Sequence, residues 1–153
     1  MSASVEDRLR RLEDERDIME TLYLYGHSLD YGLADEWLNC WTEDAVLQWP
    51  HRPPIVGHEA LQQAYDAHTH APDRFHKHVV VDPIIRIDGD RATVDSYFTR
   101  LDRYMEGPEL RSFGRYRDKL VRGQDGHWRI QERLTERQSR RNAEPLPPGE
   151  GPL

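Results

Sequence analysis

Residues 75–94 read Phe-His-Lys-His-Val-Val-Val-Asp-Pro-Ile-Ile-Arg-Ile-Asp-Gly-Asp-Arg-Ala-Thr-Val, and this stretch decides the fold class. Its β-branched residues favour extended backbone. The pattern predicts a strand over 75–87 that bends or bulges at Pro83, whose missing N–H interrupts a ladder. Asp88-Gly89-Asp90 is a hairpin signal leading into a second strand over 92–104. Turns at 106–109 and 123–126 then separate a third strand over 110–122 from a fourth over 128–135. Upstream the period is helical. Ser4 can cap a helix in which Val5, Leu9 and Leu12 lead into a stripe from Ile18 to Leu29, as one long or two abutting helices ended by Gly32. A short helix over 34–41 presents Trp37, Leu38 and Trp41, a short strand follows over 42–49, and 57–68 is a third helix stopped by Ala71-Pro72. Three helices followed by four long antiparallel strands make an α+β domain rather than a βαβ one.

At 153 residues the chain is one domain with a single core. We place that domain at 1–141. The remaining 142–153, with four prolines and two glycines, reads as a tail that is loose or docks on a neighbouring subunit. A net charge of −7 and the absence of a long apolar run argue against nucleic-acid and membrane partners. The start has no secretory character, which predicts a cytoplasmic location. Cys40 is the only cysteine, so disulfides within the chain are excluded, and its setting suits core packing.

The first helix carries an anomaly. On a wheel of ~100° per residue, Tyr25, Ile18, Leu29, Leu22, Gly26, Met19 and Tyr23 share an arc roughly 160° wide, and Asp30 falls inside it. A carboxylate aimed at the interior needs a partner, unless it merely caps the short helix that follows. His76 and His78 lie on one face of the 75–87 strand, and either can look toward Asp30. A histidine held against a buried carboxylate is oriented for acid–base work near neutral pH. Tyr25 can donate to a substrate oxygen, but it lies roughly 140° around the helix from Asp30. Both reach one cavity only if that cavity wraps the helix end or the helix breaks at Gly26. Val94, Ser96, Phe98, Arg100 and Asp102 share a strand face, making Arg100 a candidate anchor for a carboxylate or enolate, or else an ion pair with Asp102. Trp41, Trp49 and Phe98 are candidate apolar walls. His-x-His with His68 and His70 nearby raises a metal site, which we set aside because no cysteine or well-spaced carboxylate completes a ligand set. No cofactor motif is present.

The run from Tyr25 to Asp30, the Trp41-Thr-Glu-Asp-Ala-Val segment, Lys77-His78-Val-Val-Val-Asp-Pro and Ile87-Asp-Gly-Asp-Arg-Ala-Thr-Val together resemble the nuclear-transport-factor-2-like superfamily. The nearest resemblance is to its SnoaL-like branch, which includes scytalone dehydratase, hexachlorocyclohexane dehydrochlorinase and bile-acid 7α-dehydratase. It covers residues of about 10 to 137. It implies a cone-shaped, strongly curved, mostly antiparallel sheet covered by three helices around one deep pocket. It also implies roles: Asp30 at the position of the aspartate that pairs with the catalytic histidine, and His78 at that histidine. Tyr25 matches a tyrosine five residues before the aspartate in the bile-acid enzyme, whereas scytalone dehydratase has its tyrosine where this chain has Leu29. A further strand residue used by those enzymes falls near Arg100 to Asp102. The expectation is a cofactor-independent, metal-free lyase acting on a small apolar or polycyclic molecule. Catalysis would rest on Asp30, His78 and Tyr25, and substrate binding on Trp49, Phe98, Arg100 and Asp102. The alternatives are an isomerase or cyclase with Asp30 as base, and a non-catalytic binding or dioxygenase-β-subunit-like protein. The resembled lyases are trimers, and Trp128 with the Arg133, Arg137, Arg140 and Arg141 stretch looks suited to an interface, so a homo-oligomer, with a trimer ahead of a dimer, is expected.

Overall fold

Helix α1 (Val5–Tyr31) begins where Ser4 closes a capping box: its hydroxyl accepts the Asp7 N–H at 3.0 Å, and the Asp7 carboxylate accepts the Ser4 N–H at 3.2 Å. Gly32, at φ 74°, turns the chain out of the helix, and its N–H donates to the Ser28 carbonyl. In this computed structural model, which describes residues 3–142 and 145, α1 is one continuous helix. Ile18, Leu22, Tyr25, Gly26, Leu29 and Asp30 face inward as expected. Tyr23 does not, and remains 43% exposed. The buried face is turned instead toward Thr21 and Ser28, because other elements cover that side. The Thr21 hydroxyl donates to the Trp128 carbonyl at 2.7 Å, and the Tyr65 hydroxyl donates to the Ser28 carbonyl at 3.0 Å. Val5, Leu9 and Leu12 precede the covered region and are exposed.

Helix α2 (Ala34–Asn39) ends earlier than expected, and Trp41 opens strand β1 (Trp41–Gln48). A two-residue strand β2 (Ile55–Val56), absent from the sequence reading, precedes α3 (Gly57–Asp66). The long strands are β3 (His76–Asp88), β4 (Arg91–Tyr104), β5 (Gly107–Arg122) and β6 (Trp128–Arg140). The last runs past its expected end at Thr135, since β5 stays beside it as far as Ser112 opposite Arg140. The sheet order is β2-β1-β6-β5-β4-β3, antiparallel except where β1 pairs with β6. A register shift between Val81 and Ile84, with Asp82 at φ 49°, gives the bulge expected at Pro83. Further shifts interrupt β4–β5 and β5–β6, and such bulges increase twist and curl the sheet. The fold is the α+β, curled-sheet architecture expected. Of the tail expected over 142–153, residues 143–144 and 146–153 lie outside the described residues. Among those described, no helix is long and apolar enough to cross a membrane.

The core joins Ile18, Leu22 and Leu29 of α1 to Trp37, Trp41, Leu61, Tyr116, Leu120, Trp128 and Ile130. Two interface candidates therefore move inside. Trp128 is 1% exposed, and its indole N–H donates to Asp14 at 3.1 Å. Asp14 also receives the Arg122 guanidinium, which ties α1 to the end of β5. Arg133 is fully buried. It donates to Asp118 at 2.8 and 2.6 Å, and its guanidinium lies 4.2 Å from the ring of Tyr25 and 4.1 Å from that of Tyr116. Cys40 packs in the core as expected, and burial pushes its thiol up to about 12.

The Arg133–Asp118 pair generates a stability prediction. Removing one partner leaves the other charge buried and unpaired, which costs about 3–5 kcal/mol. We expect Asp118→Ala to lower the urea midpoint accordingly, whereas removal of the exposed Arg86–Asp95 pair changes it by less than about 1 kcal/mol. Equal effects would contradict this account of the core.

Candidate active site

Gly26 lets α1 lie directly on β3. A Cβ at this position would stand 2.7 Å from the His78 carbonyl oxygen, so the helix backbone meets the strand backbone without a side chain between them. One turn later that contact delivers Asp30 to His78. Asp30 Oδ2 accepts the His78 backbone N–H at 3.0 Å, and Oδ1 lies 2.7 Å from His78 Nδ1. An ionised carboxylate only accepts, so Nδ1 carries the proton of this contact, and in the neutral ring Nε2 keeps its lone pair. Asp30 is 3% exposed in the last turn of α1, where the helix carbonyls oppose a negative charge. The two His78 donors offset that opposition. The capping alternative for Asp30 is not realised, since α2 has no side-chain cap.

His78 opens on a cavity of about 520 Å³. Tyr25, Trp49, Phe98 and Tyr116 supply aromatic wall, and His68, Arg52, Arg100, Ser112, Thr135 and Arg137 supply polar groups. Tyr25 shares this cavity with His78 despite its angle on the helix, because the cavity wraps the end of α1. Burial raises the Tyr25 hydroxyl above its ordinary value although Arg133 opposes the shift, so it stays protonated. Arg100 lines the cavity while donating to Asp102 at 2.8 and 3.2 Å. Asp102 is not itself on the wall; its buried carboxylate holds Arg100. Trp41 is not on the wall either. It packs against Trp37 at 5.4 Å in the core, because the helical segment ends before it.

Several wall residues escaped the sequence reading. On β5, Ser112, Gly114, Tyr116, Asp118 and Leu120 alternate inward, and the register sets Tyr116 opposite Ser96 and Ser112 opposite Arg100. That alternation was a usable signal. Thr135 and Arg137 follow on β6, at and past the expected strand end, and Arg52 sits in the proline-rich connection. His68 comes beside His76 and His78, with ring centroids at 5.0 and 5.7 Å. Burial, and then the neighbouring His78, push His68 and His76 down to about 3, so both are neutral at ordinary pH.

The curled sheet, the three helices and the cavity at His78 make a small-molecule-binding, enzyme-like fold. The particular lineage follows from the sequence match: residues 10–134 fit the SnoaL-like domain, and the chain belongs to that family. A search of curated proteins gives no match. Among solved structures, a variant of Rv3472 from Mycobacterium tuberculosis, a protein of unknown function, is 28% identical over 83% of this chain and 77% of its own, with a TM-score of 0.75. A nuclear-transport-factor-2-like protein with a cystatin-like fold from Novosphingobium aromaticivorans is 24% identical, covers 88% of each chain and has a TM-score of 0.80. A candidate scytalone dehydratase from the same organism is 19% identical over 93% of this chain and 97% of its own, at a TM-score of 0.73. These last two show the fold.

The Gly26 contact can be tested by adding one methyl group. Ala is the better helix former by about 1 kcal/mol. Overpacking against backbone that cannot rotate away costs about 1–3 kcal/mol, and it wins here because the obstructing atom is a carbonyl oxygen. We expect Gly26→Ala to lower the urea midpoint and to shift the His78 ring resonances as Asp30 is displaced. A variant stabilised by the full helix-propensity gain would overturn the close-contact account.

Proposed function

We propose that this protein is a cofactor-independent lyase of the dehydratase type, acting on a small apolar or polycyclic substrate. The observation that carries the proposal is the 2.7 Å Asp30–His78 contact, made by a histidine that lines an aromatic cavity. His78 Nε2 takes a proton from the carbon beside a carbonyl. The electron pair forms the new C=C bond, the C–O bond to the leaving hydroxyl breaks, and the imidazolium returns its proton to that oxygen as water leaves. Asp30 holds the ring through Nδ1–H and stabilises the transient imidazolium. Tyr25 donates to the developing oxyanion while keeping its proton. Trp49 and Phe98 bracket a flat ring, and Arg100, held by Asp102, binds an electron-rich oxygen.

The rival with Asp30 as base is disfavoured because both Asp30 oxygens are engaged by His78 and the residue is absent from the cavity wall. A non-catalytic binding role is separated by mutation. On a panel of hydroxylated polycyclic ketones, with the new double bond followed by ultraviolet absorbance, we expect His78→Ala to lower turnover at least ~10²-fold. Asp30→Asn should be similarly impaired. A turned-over substrate that His78→Ala processes at the wild-type rate would remove His78 as the base.

The proposal also includes a cytoplasmic homo-oligomer, with a trimer ahead of a dimer. Its support differs from the sequence argument, since Trp128 and Arg133 belong to the core. Val79, Tyr97, Leu101, Leu110 and Phe113 are exposed on the outer sheet face, where Leu101 pairs with Leu110, and Thr99 with both Val79 and Phe113. Light scattering coupled to size exclusion should give a closed oligomer that Phe113→Asp shifts toward monomer. A wild-type monomer at micromolar concentration would contradict it.

A further inference from the structure

The elimination chemistry leaves three neighbouring imidazoles only partly used. His68 follows α3, while His76 and His78 project from β3, and one ring nitrogen from each lies within 4.8 Å of the others. Tetrahedral zinc with Zn–N bonds of about 2.0–2.1 Å holds its ligands about 3.3 Å apart, so closure requires the ring nitrogens to approach by at most about 1.5 Å. Two of the three histidines carry buried nitrogens with no hydrogen-bond partner: His68 Nε2, and both nitrogens of His76. The His76 side chain is 0% exposed, and its Nε2 lies 3.4 Å from Asp30 Oδ1 without hydrogen-bond geometry. Buried polar atoms are normally satisfied, and these are gathered at one point.

We propose that His68, His76 and His78 form a binding site for a divalent transition-metal ion of the zinc class, with Asp30 behind His78 as the carboxylate that orients the ligand ring. His68 Nε2 and both His76 nitrogens have no hydrogen-bond partner, so these rings have nitrogens to offer an ion. His78 Nδ1 is engaged by Asp30, which leaves Nε2 for the ion, and a metal-bound histidine commonly donates its other N–H to a carboxylate in this way. Asp30 supplies negative charge close to the site. The charge of Arg100 is offset by its two-pronged bond to Asp102. His68 and His78 both line the cavity, so a fourth coordination position opens toward solvent or a ligand. An all-imidazole donor set selects zinc, cobalt, nickel or copper over magnesium or calcium, which need oxygen ligands.

This inference goes beyond the elimination reading and competes with it for one lone pair. A metal on His78 Nε2 withdraws the base, so an ion-loaded site and proton abstraction by His78 exclude each other.

The test uses the untagged full-length chain, stripped with a chelator and titrated with zinc chloride near neutral pH by calorimetry. We expect one ion per chain at about micromolar affinity or tighter. His68→Ala and His76→Ala should each weaken binding at least ~10-fold, and Asp30→Asn by ~10–100-fold. His127→Ala, on the exposed surface, should leave it unchanged. Cobalt substitution gives a second readout, since intense visible absorption reports four-coordinate geometry. Absence of stoichiometric zinc binding to the wild type overturns the proposal however the variants fold. Binding that persists undiminished in the His68 and His76 variants also overturns it. The titration carries no catalytic readout, so failure of the lyase assignment leaves it standing, and an active lyase that binds no zinc sinks it alone.

Discussion

A carboxylate buried in the last turn of a helix is the constraint on which this structure depends. Asp30 faces the carbonyl end of α1, where its charge is opposed, and it is removed from water, where its charge is preferred. It is tolerated because β3 presents a backbone N–H and a ring N–H of the same residue, His78, to its two oxygens. That arrangement fixes the height and rotation of α1 on the sheet and the tautomer of the imidazole. Gly26 is the condition for it, since any side chain there would lift the helix from the strand one turn before Asp30.

The start of the covered stretch of α1 is held by a second charged cluster, in which Asp14 receives the Trp128 indole N–H and the Arg122 guanidinium. Between the two, Arg133 sits in the core, paired with Asp118 and flanked by the rings of Tyr25 and Tyr116. These polar attachments are spaced along the helix with apolar packing between them. Ile18, Leu22 and Leu29 supply burial, and the charged contacts supply register. The cavity lies beyond the Asp30 end, bounded by the same Tyr25 and Tyr116 rings that cover Arg133. Its aromatic wall is thus continuous with the core and shares its rigidity.

Within the cavity, electrostatics divide the histidines. His68 and His76 are held neutral by burial and by their neighbours, while His78 alone is tied to the carboxylate. The same asymmetry suits either a proton or a metal ion at the free nitrogen of His78, and these are mutually exclusive occupants of one lone pair.

The sequence by itself determined what depends on local stereochemistry and period. Ser4 and Gly32 marked the ends of α1, Pro83 the bulge, Asp88–Asp90 the hairpin, and the helical wheel turned Asp30 inward. The Asp30 angle was legible because a carboxylate on an apolar stripe is a local contradiction that only a partner can settle. Tertiary structure decided which faces are covered. Arg133, lying among charged residues, reads as surface, yet Asp118 and two aromatic rings make its burial tolerable. Val5, Leu9 and Leu12 read as buried, yet no element lies over them among the described residues. The parallel pairing of β1 with β6 joins segments separated by about 80 residues, and no local pattern encodes it. His68 likewise acquires its meaning only when the chain after α3 folds back beside β3. Periodicity says which side chains share a face, whereas burial, pairing and chemistry depend on what the rest of the chain packs against that face.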